Sequence, residues 1–301
     1  MQELSNEIEN YLRVCSDSKG LSSLTLKAYK IDFNQFICFM QGKDCLSKEC
    51  VSSYIDELHR QYKPKSAKRK VACIKAFYHY MEMEDLIEIN PFHKIKVKYK
   101  EPFVLPKVIP LPDVQNLLQY AYKAYQHAKT YYQTESLLRN VIILELLFST
   151  GMRVSEISKL KAENIRLTSN TIHIHGKGSK ERIACIINKD ISKMIEHYFS
   201  IRKHKIEYAF SNKFGNNYSD QSIRYMVNSY AQAAGVTLHI TPHMFRHTFA
   251  TALHDEDVNI RHIQQLLGHS SIVTTQIYTH ISTNKIRHIL EEKHPRNSFK
   301  I

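Results

Sequence analysis

His243-Met244-Phe245-Arg246-His247 begins a segment that continues through Leu267-Gly268-His269-Ser270 and ends in Gln276-Ile277-Tyr278-Thr279-His280. On a helix, the three-residue spacing of His243 and Arg246 puts both side chains on one face, with Cβ atoms roughly 5–6 Å apart. Such a pair can bind one phosphate, because Arg offers a planar fork of donors and His a single donor. Gly268 permits a tight turn before His269, and Tyr278 follows nine residues later. Each feature alone is common, but their combination in this order predicts a phosphate-binding site.

Two upstream segments carry further residues of the same kind. Thr150-Gly151-Met152-Arg153-Val154-Ser155-Glu156-Ile157 places an arginine after a Thr-Gly pair, and His175-Gly176-Lys177-Gly178-Ser179-Lys180-Glu181-Arg182 places a lysine on a Gly-flanked turn. Together with the first stretch, these segments resemble the catalytic domain of the tyrosine recombinase (lambda-integrase-like) family, and the resemblance covers nearly the whole chain. It implies six catalytic residues: Arg153, Lys177, His243, Arg246, His269 and the nucleophile Tyr278.

Arg153 and Arg246 are the residues that would stabilise charge. By the resemblance, both bind the non-bridging oxygens of the phosphorane, the kind of electrostatic stabilisation that usually contributes most to catalysis. Glu156, three residues after Arg153, is predicted to hold Arg153 in place from behind. The pair could instead be an ordinary surface ion pair, since Arg and Glu at this spacing are common on exposed helices.

The remaining groups would move protons and make the covalent bond. The resemblance implies that His243 accepts a proton, that His269 donates to a phosphate oxygen, and that Tyr278 attacks the phosphorus. Lys177 would protonate the departing 5′ oxygen, and Lys180 on the same turn is the alternative. The product would be a 3′-phosphotyrosine with a free 5′-hydroxyl. Because this link retains the bond energy, no ATP and no other cofactor is expected, and the sequence contains no P-loop motif.

Hydrophobic periodicity predicts a mainly α fold with a small β-hairpin or sheet. Apolar positions at helical spacing indicate four helices, at 3–15, 22–42, 47–61 and 66–83, and this half resembles the family's helical core-binding domain. Residues 91–110 then hold four prolines among several lysines, which predicts an extended basic linker. We therefore expect a helical DNA-binding domain at 1–95, a linker at 96–107 and a mixed α/β catalytic domain at 108–301.

The predicted catalytic domain begins with a helix at about 112–130, followed by a polar stretch at 129–135 to which the sequence assigns no role. Residues 141–148 are apolar on every side, which indicates a buried helix. Alternating residues at 172–175 and 182–186 flank the Gly-rich turn and predict a β-hairpin. A last helical stripe is expected to dock on a neighbouring protomer, as the resemblance implies, or else to fold back onto its own domain. This stripe consists of Ile281, Ile286, Ile289 and Leu290.

Composition narrows the class of partner and the compartment. The 301 residues carry 42 Lys and Arg against 29 Asp and Glu, a net charge of +13, which indicates a polyanionic partner. No run of about 18 apolar residues is present, and the polar start does not look like a signal peptide. We therefore expect a cytoplasmic, nucleoid-associated protein without a membrane span. The six cysteines follow no common zinc-ligand spacing and are expected to be reduced and buried.

Nearly all charged side chains at the start of the fourth predicted helix and in the linker are positive. A helix face that is only solvated usually carries charges of both signs. We expect these side chains to contact the phosphates of double-stranded DNA. They are Lys65, Lys68, Arg69, Lys70 and Lys75 on the helix, and Lys96 and Lys98 in the linker.

Several classes of protein fit parts of this pattern. A site-specific recombinase, acting as a homo-tetramer or as a heterotetramer with a related recombinase, accounts for all six catalytic positions. A type IB topoisomerase would use the same attack from one protomer, and a non-catalytic DNA-binding regulator would explain the charge but not Tyr278. A metallonuclease would need carboxylates near His243 and His247, and residues 239–253 contain none. The end of the chain resembles Xer-type members, and chromosome-dimer resolution and mobile-element integration or excision both stay open as roles.

Overall fold

The chain folds into two compact units, Met1–Val104 and Leu105–Ile301. A computed structural model describes residues 2–97, 107–175, 181–268 and 283–300 of them. Both units are mainly helical and the second also holds a small antiparallel sheet, so the predicted fold class is confirmed. The finer limits 1–95, 96–107 and 108–301 stay predictions. None of the helices described here is both long enough and apolar enough to cross a membrane.

The first unit is built from four helices: α1 (Gln2–Asp17), α2 (Ser23–Phe39), α3 (Lys48–Gln61) and α4 (Pro64–Met83). Serine side chains cap two of them, because Ser22 Oγ accepts from the N–H of Thr25 at 3.2 Å and Ser47 Oγ accepts from that of Cys50 at 3.4 Å. Large rings fill the core between the helices, among them Phe33, Phe36, Phe77 and Tyr78. The four predicted helices are confirmed, with ends shifted by a few residues.

Residues Pro91–Lys94 form a short 3-10 helix where the sequence predicted an extended linker. Asn90 Oδ1 accepts from the N–H of Phe92 at 2.9 Å, and Pro91 suits the first helical position because the N–H it lacks would have no partner there. Phe92 is 5% exposed and packs into the core of the first unit. The proline spacing therefore excludes a long helix but not a single helical turn.

The second unit contains eight α-helices and a three-stranded sheet within the described residues. The helices are α5 (Leu111–Gln126), α6 (Tyr131–Thr150), α7 (Val154–Ser158), α8 (Lys189–Ile201), α9 (Asp220–Ala233), α10 (Pro242–Asp255), α11 (Ile260–Leu267) and α12 (Thr283–Lys293). The strands are β1 (Ile165–Arg166), β2 (Thr171–His175) and β3 (Glu181–Cys185), paired antiparallel in that order. Ile174 of β2 lies opposite Arg182 of β3, and the predicted hairpin is confirmed.

Helix α6 is the centre of this unit, because every residue from Val141 to Thr150 is buried. It begins well before the predicted buried segment, at Tyr131. Thr130 caps it, with Oγ1 accepting from the N–H of Gln133 at 3.2 Å. The polar stretch at 129–135 is therefore the cap and first turn of a long helix and not a separate segment.

The tail beyond Arg287 folds back onto its own unit. Leu290 of α12 is 2% exposed and belongs to the apolar cluster that includes α10 and α11 side chains. Phe299 stacks on Phe148 of α6, with 5.5 Å between ring centroids. This is the folded-back arrangement that the sequence left as the alternative, and not the predicted docking on a neighbouring protomer. Ile281 and the side chain of Ile286 lie outside the described residues.

A buried ion pair explains why the tail folds back. Glu145 on α6 is fully buried, and Arg296 Nε donates to both of its carboxylate oxygens at 3.1 Å. The Tyr122 hydroxyl donates to Oε1 of Glu145 at 2.8 Å. A buried carboxylate without a partner is strongly unfavourable, so Glu145 requires a cation, and the chain's own tail supplies it.

Candidate active site

Arg153 is placed at the start of α7, shortly after α6 ends. Gly151 ends α6 with a φ of 60°, in the left-handed region that favours glycine. Arg153 Nη1 donates to Oε1 of Glu156 at 2.7 Å, and the backbone N–H of Arg153 donates to Oε2 at 2.8 Å. The Arg153 side chain is 41% exposed, whereas that of Glu156 is 6% exposed. The carboxylate thus orients the guanidinium from beneath and leaves its outer face open.

Arg246 lies on α10 and is almost wholly buried, at 2% exposure. Its Nη1 donates to the carbonyl of Gly151 at 2.8 Å, and its Nη2 donates to that of Leu267 at 2.6 Å. Burial lowers the pKa of Arg246 to about 9, and the positive charges of Arg153 and Arg182 act in the same direction. Arg153 and Arg246 therefore lie at the same junction, where α6 ends.

Glycine is required where these elements meet. A Cβ atom on Gly151 would lie 2.8 Å from both Leu267 Cδ2 and Phe249 Cδ1, which is closer than a side chain can approach. The absence of a side chain lets α10 and α11 pack against the end of α6. This close approach brings the Gly151 carbonyl within reach of Arg246.

His243 lies one turn before Arg246, in the first turn of α10, and is exposed. Its ring packs edge-on against that of His247, with 4.5 Å between centroids. Partial burial lowers the pKa of His243 below its ordinary value, and the charges of His247, Arg246 and Arg153 lower it further. A neutral imidazole beside two arginines can accept a proton at neutral pH. Among the described residues, no three His, Cys, Asp or Glu side chains form a group that could hold a metal ion.

Arg182 on β3 is a third arginine at this junction, and sequence reasoning did not single it out. Its Nη2 donates to Oε2 of Glu156 at 2.7 Å, and its Nη1 donates to the carbonyl of Leu266 at 2.7 Å. The side chain is 10% exposed. A signal was present in the strand: Arg182 shares a sheet face with Ala184, which is buried, so the alternation of β3 places Arg182 on the inner side.

We call Arg153, Arg182, Arg246 and Glu156 the arginine junction. Burial alone would raise the pKa of Glu156, but the charge of Arg182 and the hydrogen bonds from Arg153 outweigh burial and hold that pKa below its ordinary value. Glu156 is therefore ionised at neutral pH and cancels one of three positive charges. Three positive charges and one negative leave an excess of two, which favours an anion such as a phosphate diester.

Three predicted catalytic residues, Lys177, His269 and Tyr278, lie outside the described residues, and so does the alternative Lys180. Lys177 falls between β2 and β3 in the chain. His269 directly follows Gly268, which ends α11 with a φ of 63°. In the chain, Lys177 therefore precedes β3, which carries Arg182, and His269 follows α11, whose last carbonyls bind Arg182 and Arg246.

The predicted DNA-contacting side chains separate into exposed and buried ones. Lys65, Lys68, Arg69 and Lys75 are exposed and follow one another at helical spacing on one face of α4. Lys96 is exposed in the segment after the 3-10 helix, and Lys98 lies outside the described residues.

Lys70 differs from its neighbours because it points into the first unit, at 5% exposure. Its Nζ donates to Oδ1 of the fully buried Asp32 at 2.8 Å and to Oε1 of Gln35 at 2.6 Å. Arg69 also binds Asp32, with Nη2 donating to Oδ1 at 2.9 Å, but its side chain remains 46% exposed. A buried lysine bonded to a buried carboxylate cannot reach a DNA phosphate, so Lys70 leaves the set of DNA-contacting candidates.

Comparison with known proteins agrees with the fold and the sequence pattern. The model of the phage integrase family matches residues 108–285, and that of the phage integrase N-terminal SAM-like domain matches residues 8–85. A tyrosine recombinase of Agathobacter rectalis is 47% identical to this chain and covers 99% of each, and tyrosine recombinase XerD of Listeria innocua is 31% identical over 96% of this chain and 98% of the relative. A solved structure of XerH site-specific recombinase bound to palindromic difH substrate shares the fold, with a TM-score of 0.68 at 20% identity over 92% of this chain and 82% of that one. The chain therefore belongs to the phage integrase family as a tyrosine recombinase, a DNA strand transferase that needs neither a metal ion nor ATP.

Proposed function

We propose that this protein cuts and rejoins duplex DNA at specific sites through a 3′-phosphotyrosine intermediate, with Tyr278 as the nucleophile. The observation that supports this most is the excess positive charge of the arginine junction. Arg246 is buried, and its pKa is lowered to about 9, which marks a cation placed where an anion would stabilise it. Arg153 lies at the same junction with its outer face exposed, so one phosphate could bind both guanidinium groups.

The proposed reaction begins with attack of the Tyr278 oxygen on the scissile phosphorus. The Tyr278 proton passes to His243, whose lowered pKa keeps it neutral and ready to accept. A bond forms between phosphorus and the tyrosine oxygen, and the bond between phosphorus and the 5′ oxygen breaks. Lys177 gives a proton to the departing 5′ oxygen, which leaves as a hydroxyl.

Charge stabilisation accompanies this displacement. Arg153 and Arg246 bind the non-bridging oxygens, where negative charge builds up in the phosphorane, and His269 donates to one of the same oxygens. Rejoining reverses the steps: a 5′-hydroxyl of the partner strand attacks the phosphotyrosine, and Tyr278 leaves with its proton restored. Each step exchanges one phosphoester bond for another, so the reaction requires no external energy source such as ATP.

DNA binding would draw on the exposed face of α4. Lys65, Lys68, Arg69 and Lys75 present their charges along about three turns of helix, a length suited to a run of backbone phosphates. We include Lys96 and Lys98 in the proposed set and leave out the buried Lys70.

The proposed reaction also suggests the oligomeric state and the biological role of the protein. Exchange between two duplex sites involves four strand cuts, so we propose a homo-tetramer, or a heterotetramer with a related recombinase, on the DNA. The relative named XerD supports an Xer-type role in resolving joined molecules, and integration or excision of a mobile element uses the same chemistry. Such a protein would act in the cytoplasm, on nucleoid DNA.

Covalent capture tests the proposed function and finds the site at the same time. The purified full chain is incubated with fragmented genomic duplex DNA of its host, denatured, and the DNA that stays attached to protein is sequenced. We expect enrichment of one duplex sequence with wild type and none with Tyr278→Phe, and exchanged products when two copies of that duplex are present. Covalent attachment with relaxation but no exchange would indicate a topoisomerase, and binding without attachment would indicate a regulator.

A further inference from the structure

Arg182 has no role of its own in the proposed reaction, but its hydrogen-bond partners, Glu156 and Leu266, lie next to residues that do. We infer that Arg182 is a positioning residue for strand cleavage, which ties Arg153 to the segment that leads to His269. This inference rests on the proposed function, because it concerns the rate of the step in which the DNA strand is cut. Three features support it: the carboxylate shared by two arginines, the contact with the end of α11, and the burial of the Arg182 guanidinium.

The first link runs through Glu156. One oxygen of this carboxylate, Oε1, accepts from Arg153 Nη1 at 2.7 Å. The other, Oε2, accepts from Arg182 Nη2 at 2.7 Å and from the Arg153 backbone N–H at 2.8 Å. Because two guanidinium groups and a backbone N–H share one carboxylate, the carboxylate plane is fixed, and the direction of Arg153 is fixed with it.

The second link runs to the end of α11. Arg182 Nη1 donates to the carbonyl of Leu266 at 2.7 Å, and Arg246 Nη2 donates to the carbonyl of the next residue, Leu267, at 2.6 Å. These are the last two carbonyls of α11, and at the end of a helix no further N–H of the helix is available to donate to them. A Cβ atom on Gly268 would lie 2.7 Å from Arg182 Cδ, so the Arg182 stem also covers the residue directly before His269.

A merely stabilising role is a weaker explanation for this arrangement. Burial lowers the pKa of Arg182, which shows that the site does not favour the cation, and the charge of Glu156 only partly offsets this. Buried ion pairs often contribute little net stability compared with apolar side chains of similar size. Arg182 is 10% exposed, and an apolar residue could fill its volume, but no apolar residue could donate to both Glu156 and Leu266.

We class Arg182 as a positioning residue because its two Nη groups donate to Glu156, which binds Arg153, and to Leu266 near the end of α11. Its effect on the scissile phosphate would pass through Arg153 and through the end of α11. Loss of such an indirect partner typically costs about 10–100-fold in activity. We expect the loss to fall on the rate of cleavage and not on DNA affinity, which is spread over many phosphate contacts.

The test compares single-turnover rates of covalent adduct formation on the duplex found by covalent capture, at saturating protein. Arg182→Met should slow adduct formation by about 10–100-fold without a measurable change in duplex affinity. Arg182→Lys keeps the charge, but one ammonium cannot reproduce the planar fork, so it should stay slow. Arg139→Met is the matched control, since Arg139 also donates to a backbone carbonyl, that of Ser211, at 2.6 Å, and should cleave at the wild-type rate.

Two further measurements separate positioning from other roles. The double variant Arg182→Met with Glu156→Gln should be no slower than the slower single variant, because both substitutions break the same bridge between Arg182 and Glu156. The Arg182→Met defect should persist on a duplex with bridging sulfur at the 5′ position, because the bridge leads to Arg153 and not to Lys177.

The outcomes are distinct. Wild-type rates for Arg182→Met, full recovery by Arg182→Lys, or strictly additive losses in the double variant would each overturn the inference while adduct formation by wild type still stands. If Arg182→Met does not fold, as judged by thermal melting, the Arg182→Lys rate decides alone. If wild type forms no adduct with any duplex, the proposed function fails and the inference fails with it.

Discussion

The Nη2 atom of Arg246 lies 2.6 Å from the carbonyl oxygen of Leu267, which stands two residues before His269 in the chain. The other terminal nitrogen, Nη1, donates to Gly151, two residues before Arg153. A guanidinium has five N–H donors, so two bonds to the protein leave three for a phosphate. Arg246 can therefore join the two segments of the site and still bind the DNA strand between them.

Replacing Tyr278 with Phe should abolish the covalent adduct and leave duplex binding near normal. The change removes one hydroxyl and neither charge nor ring, so the phosphate contacts stay in place. Electrophoresis after denaturation measures the adduct, and a mobility shift of the native complex measures binding. An adduct that persists and maps to another residue would show that the nucleophile lies elsewhere.

Arg153→Ala and Arg246→Ala should each slow adduct formation by about 10²–10³-fold at saturating protein. Duplex affinity should fall only slightly, because many other phosphate contacts support it. Lys65→Ala provides the contrast: it should weaken binding and reduce the slope of log affinity against log salt by about 1. Equal losses of binding and of cleavage in the arginine variants would mean that these residues position DNA without stabilising the transition state.

Lys177→Ala should cleave poorly on natural DNA and recover on a duplex with bridging sulfur at the 5′ position. A thiolate leaves readily without a proton, so the general acid is no longer needed. Lys180→Ala is the matched variant on the same turn and should behave like wild type on both substrates. Rescue of Lys180→Ala in place of Lys177→Ala would transfer the general-acid role to Lys180.

His294 should make the protein less stable at acidic pH. Its ring is 2% exposed and packs against Phe148 and Phe249, and burial lowers the pKa of His294 to about 3. The same group titrates near ~6.5 in the unfolded chain, so unfolding takes up a proton between these values. Its stabilisation is fully present above about pH 6.5 and is lost as the pH falls towards 3, by at most about 1.4 kcal/mol per pH unit.

Denaturant unfolding across this window checks the effect of His294. The His294→Phe variant keeps a ring in the same place but takes up no proton, so its free energy of unfolding should depend less steeply on pH than that of wild type. Parallel curves for the two proteins would show that His294 is not the group responsible.

Arg296→Met should destabilise the second unit by about 3–5 kcal/mol, because it leaves the buried carboxylate of Glu145 without its cation. Adding Glu145→Gln should restore much of the loss, since the amide is neutral and can still accept from the Tyr122 hydroxyl. Thermal melting of the two single variants and the double variant measures the coupling. Losses that simply add would contradict a direct dependence of Glu145 on Arg296.

Sequence reasoning located the parts of the site that depend on short spacings. Arg153 and Glu156 stand three residues apart, as do His243 and Arg246, and helix geometry alone brings such pairs together. The helices, the hairpin and the buried course of α6 followed from periodicity for the same reason. The contact between Arg182 and Glu156 spans 26 residues, and no local pattern encodes which carboxylate a strand arginine will reach.

Long-range partners also explain two of the predictions that the structure changed. Lys70 belongs to a run of like charges, but Asp32, 38 residues earlier, draws it into the core. The tail has an amphipathic pattern that suits docking on any apolar surface, and the buried carboxylate of Glu145 selects the chain's own α6. In both cases one buried acid decided the outcome, and burial is not readable from the acid's own neighbours in sequence.

The pairing of Glu145 with Arg296 also sets an order of events during synthesis. The two residues are 151 positions apart, so α6 leaves the ribosome on the order of ten seconds before its cation is made, at ~5–20 residues per second. Until then, the Glu145 carboxylate must stay hydrated, and α6 cannot be fully enclosed by the rest of the second unit. The nascent chain therefore finishes its second unit, and with it the surroundings of the arginine junction, only after the tail has emerged. A ribosome-bound chain would therefore complete its cleavage site only at the end of its own translation.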